Sequence, residues 1–195
     1  MKVFNFGIVV AMLISFNSFA GGFAGVSYDF KDNQDKESFH DVTAFTFGTN
    51  VNDRTQIAVR AEVENVRQSN DNLEGLLQVQ GKFTPLSFDV GVPVSVFVTG
   101  SLGEKLKVGN NFPFYALGGG LTMALANDFS ITGAARWRDS FQDNRSYGTV
   151  EGSLAAAYTL NENNILGVRI AMERGALDRN GSDFNTLGAF YTLKF

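Results

Sequence analysis

Apolar and polar residues alternate along almost the whole chain beyond its first twenty residues. From Thr55 to Val66 the sequence reads TQIAVRAEVENV, which puts Ile57, Val59, Ala61 and Val63 on one face and Gln56, Arg60, Glu62 and Glu64 on the other. Successive side chains of a strand point to opposite faces, so a period of two predicts a strand whose two faces meet different surroundings. Helical spacing would scatter the same charges around the axis. Phe88 to Thr99 repeats the pattern, with Val90, Val92, Val94, Val96 and Val98 opposite Asp89, Gly91, Pro93, Ser95 and Thr99. Pro93 cannot donate to a ladder, which predicts a bulge or a missing hydrogen bond at that point.

Extended along the chain, the pattern predicts about ten strands: 22–30, 39–50, 55–66, 73–84, 88–99, 112–126, 129–138, 147–160, 165–174 and 184–195. An eight-stranded count is the alternative, because the first strand carries the weakest alternation. Each segment is near or above the roughly 9–11 residues that a tilted strand needs to cross a bilayer. The connectors alternate in length. Those at 31–38, 67–72, 100–111, 139–146 and 175–183 are long and polar, whereas those around Asn52-Asp53, Pro85, Asn127-Asp128 and Asn161 to Asn164 are tight. Long loops on one rim and short turns on the other are the habit of membrane barrels. Aromatics cluster near strand ends, with Tyr28, Phe30, Phe39, Tyr115 and Trp137 towards the long loops. Phe47, Phe83, Phe88, Phe129, Tyr158, Tyr191 and Phe195 lie towards the short turns. Two such belts suit the two interfaces of a bilayer. A soluble sandwich also alternates, but the polar face here holds Gly118, Gly120, Ala124, Ala134, Ala155 and Ala157 between its charges. Small residues serve a crowded interior rather than a solvated surface. The expected fold is therefore all-β: an antiparallel up-and-down transmembrane barrel with its apolar face outward.

The start of the chain changes the picture in one respect. Lys2 precedes the apolar run VFNFGIVVAMLISF, and Ser18 and Ala20 stand three and one positions before a cut expected after Ala20. That is the form of a secretory signal peptide. The run is shorter than the roughly 20 residues of a membrane-spanning helix. The expectation is a leader over 1–20 and a barrel over 21–195. Cysteine is absent from the chain, which excludes disulfides, thiol catalysis and a lipid-anchored cysteine. With a net charge of −4 the chain is a poor match for nucleic acid.

The final strand ends Tyr191-Thr192-Leu193-Lys194-Phe195, alternating apolar residues that close on a terminal phenylalanine. This resembles the C-terminal signal of bacterial outer-membrane β-barrel proteins. The resemblance implies a place in the cell outer membrane among lipid and lipopolysaccharide, and recognition of Tyr191, Leu193 and Phe195 by the barrel-assembly machinery. In length and strand number the chain is also similar to the small YfaZ-type outer-membrane proteins.

Two constellations carry potential chemistry. His40 is the one histidine, and its parity turns it into the bore near the long-loop rim. Simple hairpin registers make Asp29 and Glu64 its neighbours on the flanking strands, and Ser27 or Ser38 offers a hydroxyl. An acid beside a histidine can orient it as a general base. Omptin-type proteases, lipid A deacylases and palmitoyl transferases of the outer membrane place a histidine with an acid or serine at this height, but the chain matches none of their motif spacings. The plainer expectation is a rim histidine satisfied by a carboxylate. The second constellation is the set of lumenal charges: Arg60, Glu62, Glu64, Glu74, Lys82, Asp89, Arg136, Arg138, Glu151, Arg169, Glu173 and Lys194. Both signs are interleaved, and buried charges are costly unless paired. Eight strands leave a bore that side chains fill, and ten lie near that limit. The expectation is a salt-bridge network that plugs the lumen, with Gly118 and Gly120 making room for Arg136 and Arg138, and Ala157 for Arg169. Lone histidine and missing cysteine argue against a metal, and nothing calls for a cofactor. The leading functional expectation is a monomeric, non-enzymatic barrel, structural or weakly pore-forming. A lipid or peptide hydrolase around His40 is the alternative, and an adhesin or phage receptor a further one.

Overall fold

The computed structural model describes residues 21–34, 38–67, 72–107, 110–142, 147–176 and 183–195. The expected leader over 1–20 lies outside them. Ten antiparallel strands follow in chain order: β1 (Gly22–Asn33), β2 (Ser38–Asn52), β3 (Thr55–Arg67), β4 (Asn72–Asp89), β5 (Pro93–Leu106), β6 (Phe112–Ala124), β7 (Phe129–Ser140), β8 (Thr149–Asn161), β9 (Asn164–Gly175) and β10 (Phe184–Lys194). Each pairs with its neighbours in sequence, and β1 pairs with β10 to close a cylinder. That last seam runs from Phe23↔Lys194 to Asn33↔Phe184, so no edge is left open.

Polarity is inverted relative to a soluble protein. Val63, Val79, Val98, Leu102, Leu117, Leu154, Leu166, Val168, Ile170, Met172 and Leu187 all point outward and are exposed. Soluble monomers rarely show a contiguous apolar surface of more than a few hundred square ångströms. Burial in hydrocarbon accounts for a band that circles the molecule. The ends of the band are aromatic. On the long-loop side Phe30 stacks on Phe39 with centroids 5.4 Å apart, and Tyr115 meets Trp137 edge-on at 5.3 Å. On the short-turn side Phe83, Phe88, Tyr158, Tyr191 and Phe195 are exposed.

One turn differs from the sequence expectation, with consequences above it. Pro85 does not form a turn: it lies within β4, where the β4–β5 register shifts between Phe83 and Leu86. The chain reverses instead at Val90-Gly91-Val92. Gly91 has φ of +94° and its N–H donates to Asp89 Oδ1 at 2.8 Å. The bulge expected at Pro93 is thus displaced to Pro85, and Pro93 takes the first position of β5, where a missing donor is tolerated. Asp89 caps this turn at the rim and does not line the bore. Because β5 starts later it also runs on to Leu106, so much of the supposed loop 100–111 is strand.

Four of the inward-facing phenylalanines each stand directly opposite a glycine: Phe23↔Gly48, Phe97↔Gly120, Gly103↔Phe114 and Phe190↔Gly167. The ring occupies the space a side chain would take at its glycine, where a Cβ at Gly103 or Gly120 would stand 2.7 or 2.8 Å from ring carbons. This is the cross-strand arrangement in which an aromatic covers a glycine's bare backbone. Such pairs let bulky side chains fit inside a narrow cylinder.

Two outcomes are expected. Val168→Arg, near mid-depth on the outward face, lowers unfolding free energy from lipid vesicles by about 2–4 kcal/mol. Gly167→Val forces its side chain into the Phe190 ring and costs about 1–3 kcal/mol by overpacking, whereas the double change Gly167→Val with Phe190→Ala recovers part of that loss.

Candidate functional site: an ion-paired bore with a rim vestibule

Charge is concentrated in the outer half of the bore, where eight strands contribute to three interlocked groups. The first runs along the rim. Lys107 Nζ reaches Glu74 Oε1 at 3.1 Å, Lys105 Nζ reaches Glu74 Oε2 at 3.1 Å, and Lys105 also reaches Glu64 Oε2 at 2.5 Å. Glu64 Oε1 lies 2.8 Å from His40 Nδ1, and His40 Nε2 lies 3.2 Å from Ser38 Oγ. A carboxylate only accepts, so it selects the imidazole with its proton on Nδ1, and Nε2 then accepts from the serine hydroxyl. The second group runs along the wall from β3 through β1 and β9: Glu62 accepts from Arg60 Nε at 2.6 Å, and Asp29 Oδ2 takes Arg169 at 2.8 Å with Arg60 at 4.0 Å. Glu151 joins Arg136 at 2.9 Å to Arg169 at 3.9 Å. The third is Arg138 with Glu173, the guanidinium lying 4.2 Å from the Tyr147 ring centroid. Burial pushes the Tyr147 phenol above its ordinary value, in spite of the nearby cations.

The strands that carry no charge here supply space. Gly118 of β6 stands opposite Arg136, and Ala116 opposite Arg138. On β10 a Cβ at Gly188 would collide with the Asp29 carboxylate. Ala155, not Ala157, stands opposite Arg169, and Gly120 faces Ala134 and not an arginine. Gly118 thus serves Arg136 as expected, whereas Arg138 and Arg169 find their small neighbours in Ala116 and Ala155.

Of the residues singled out in the sequence, Arg60, Glu62, Glu64, Arg136, Arg138, Glu151, Arg169 and Glu173 meet in these groups. Lys82 does not. It sits in the inner half with Nζ 4.4 Å from the Phe97 centroid, a cation over an aromatic face. Asp29 is not beside His40: the β1–β2 register pairs His40 with Lys31 and Asp29 with Val42. That pairing moves Asp29 one step down the bore, to the arginines. Ser27 Oγ is buried without a hydrogen-bond partner among the described residues, so Ser38 is the hydroxyl that reaches His40. Tyr191, Leu193 and Phe195 lie exposed along the last strand, with the Tyr191 hydroxyl donating to Asn164 Oδ1. Sequence reasoning missed Lys105, because the misplaced turn left it in a loop. Continuing the β5 parity from Phe97 and Thr99 would have turned it inward.

Above the network a cavity of about 240 Å³ opens towards the long-loop rim, lined among others by Lys31, Ser38, His40, Glu64, Lys105 and Tyr147. Among the described residues no three His, Cys, Asp or Glu side chains gather as a metal site.

No family model and no curated protein sequence matches the chain. Solved structures do resemble it. LpxR from Salmonella typhimurium superposes with a TM-score of 0.53 at 8% identity, covering 89% of this chain and 99% of that one. Neisserial surface protein A (NspA) gives 0.46 at 11% identity over 90% and 96%, and the KdgM porin in complex with disordered oligogalacturonate gives 0.47 at 11% identity over 89% and 99%. At such identities the likeness concerns the fold. Closure, inverted polarity and paired aromatic belts define the class: the chain is an outer-membrane β-barrel.

The rim chain makes a direct prediction. Glu64 and Lys105 are both nearly inaccessible, at 7% and 8% side-chain exposure. Removing one partner strands a buried charge, so Lys105→Met lowers stability by about 3–5 kcal/mol, while Lys105→Met with Glu64→Gln costs less than the two single losses added together, as read in a double-mutant cycle.

Proposed function

We propose that this protein is a small outer-membrane barrel with a closed bore, structural or at most weakly pore-forming. The single observation behind this reading is the ionic network, whose members from eight strands line the outer half of the bore as paired, largely buried charges. A solute or ion crossing there would have to break paired, desolvated charges, which costs several kcal/mol for each pair. Below the network Phe23, Phe97 and Phe190 lean inward over glycines and narrow the remaining path. In this reading the leader over 1–20 is removed on export, the last strand is read by the assembly machinery, and the protein works as a monomer in lipid and lipopolysaccharide. The chain also takes its place beside the small YfaZ-type proteins.

Planar-bilayer recording tests the reading. The wild-type barrel is expected to give no steady conductance, or only small infrequent steps. Arg136→Ala, Arg138→Ala and Arg169→Ala combined should produce stable steps. Large porin-like steps from the wild type would overturn it.

A further inference from the structure

We propose that the rim vestibule is a hydrolytic site for short-chain carboxylic esters, with Ser38 as nucleophile, His40 as general base and Glu64 as the residue that positions the imidazole. This goes beyond the closed-bore reading, because the vestibule faces outward above the network and needs no passage through it. Three observations on separate strands and contacts meet here. Ser38, His40 and Glu64 are hydrogen-bonded in series at 3.2 and 2.8 Å, the arrangement that defines a hydroxyl, base and orienting acid irrespective of fold. The order is locked from behind. Lys105 holds the other Glu64 oxygen at 2.5 Å, and Phe184 packs edge-on against the imidazole with centroids 5.0 Å apart. Finally, the serine and histidine line the cavity of about 240 Å³. They therefore face a space that a substrate can enter, unlike a histidine packed in a core.

The chemistry balances with water as the co-reactant. Ser38 Oγ attacks the ester carbonyl carbon while its proton passes to His40 Nε2. Lys31, directly opposite His40 in the β1–β2 register and also lining the cavity, brings positive charge to the oxyanion. The intermediate collapses by breaking the bond to the alcohol oxygen, which leaves with the proton from Nε2. Water then attacks the acyl-serine, gives its proton to Nε2, and releases the carboxylic acid as Ser38 recovers its own.

Cavity size and lining select the substrate. A cavity of about 240 Å³ suits a compact acyl group such as acetyl or butyryl better than a long fatty acyl chain. The walls carry Lys31, Lys105, Lys107, Glu62, Glu64 and Glu74. The strands separate the cavity from membrane hydrocarbon, so the alcohol part should be polar and water-borne.

The test uses the protein folded in detergent micelles, with p-nitrophenyl acetate and p-nitrophenyl palmitate as paired probes and an alkyl fluorophosphonate as a covalent label. The expected result is multiple-turnover hydrolysis of the acetate with the palmitate left intact, and one phosphonyl adduct mapped by mass spectrometry to Ser38. Ser38→Ala should reduce hydrolysis to the uncatalysed rate, and His40→Asn should lower it by about 10²–10⁴-fold. Glu64→Gln should lower kcat more than it changes KM, since Glu64 positions the base and does not touch the ester. If Ser38→Ala fails to fold, the adduct on the wild type decides. Wild-type hydrolysis equal to that of Ser38→Ala, a folded wild type with no adduct at Ser38, or a preference for palmitate would overturn the proposal. A barrel that conducts and yet hydrolyses acetate would sink the closed bore and leave this site standing.

Discussion

Hydrocarbon offers no hydrogen bonds, so a sheet can live in it only if no backbone group is left at an edge. In this protein that condition is met at one seam, where β1 and β10 bring the two ends of the chain's sheet together over eleven register pairs. Much else depends on that closure. It creates an inside and an outside, and it allows one face of every strand to be oily without aggregation. It also turns the polar face into the bore, where many of the charges are largely buried. Once charges are committed to that interior they must find partners within it, and the ion pairs of Asp29, Arg60, Glu151 and Arg169 join adjacent and next-but-one strands around the wall.

The bore is divided by chemistry. Its outer half holds ion pairs set around small residues of β6 and β10; its inner half holds phenylalanines that lie over glycines, with Lys82 against Phe97 in place of a carboxylate. Both halves solve the same volume problem: a long or flat side chain on one strand needs an absent one on the next. The rim differs from both, because there His40 and Ser38, held by Glu64 and Phe184, also line a cavity. The ion pairs that line the outer bore thus also hold the polar groups at its mouth.

Strand number, facing and the outer belt were legible in the sequence, since a period of two survives any uncertainty in strand ends. Register was not. Asp29 and Lys31 have the same parity, and which of them meets His40 depends on the β1–β2 loop, which alternation does not encode. The β4–β5 turn was hidden for a different reason. Pro85 is the stronger punctuation mark, whereas Val90-Gly91-Val92 continues the apolar alternation through the reversal. That error removed Lys105 from the expected bore. The inward phenylalanines were available to parity, but Phe97 sits among valines and reads as part of an oily run. The Ser38–His40 contact follows from two residues one step apart on a face, and the simplest closure of the tight β2–β3 hairpin brought Glu64 to His40.

Trp137 is the only tryptophan and stands in the outer aromatic belt beside Tyr115, which makes it a depth gauge for the central claim that the oily face meets lipid around a closed cylinder. Its fluorescence can be measured in bilayers whose acyl chains are brominated at successive depths. Strong quenching that peaks for bromines near the interface and weakens towards the bilayer centre is the predicted result. Emission indifferent to bromine at every depth would contradict the account.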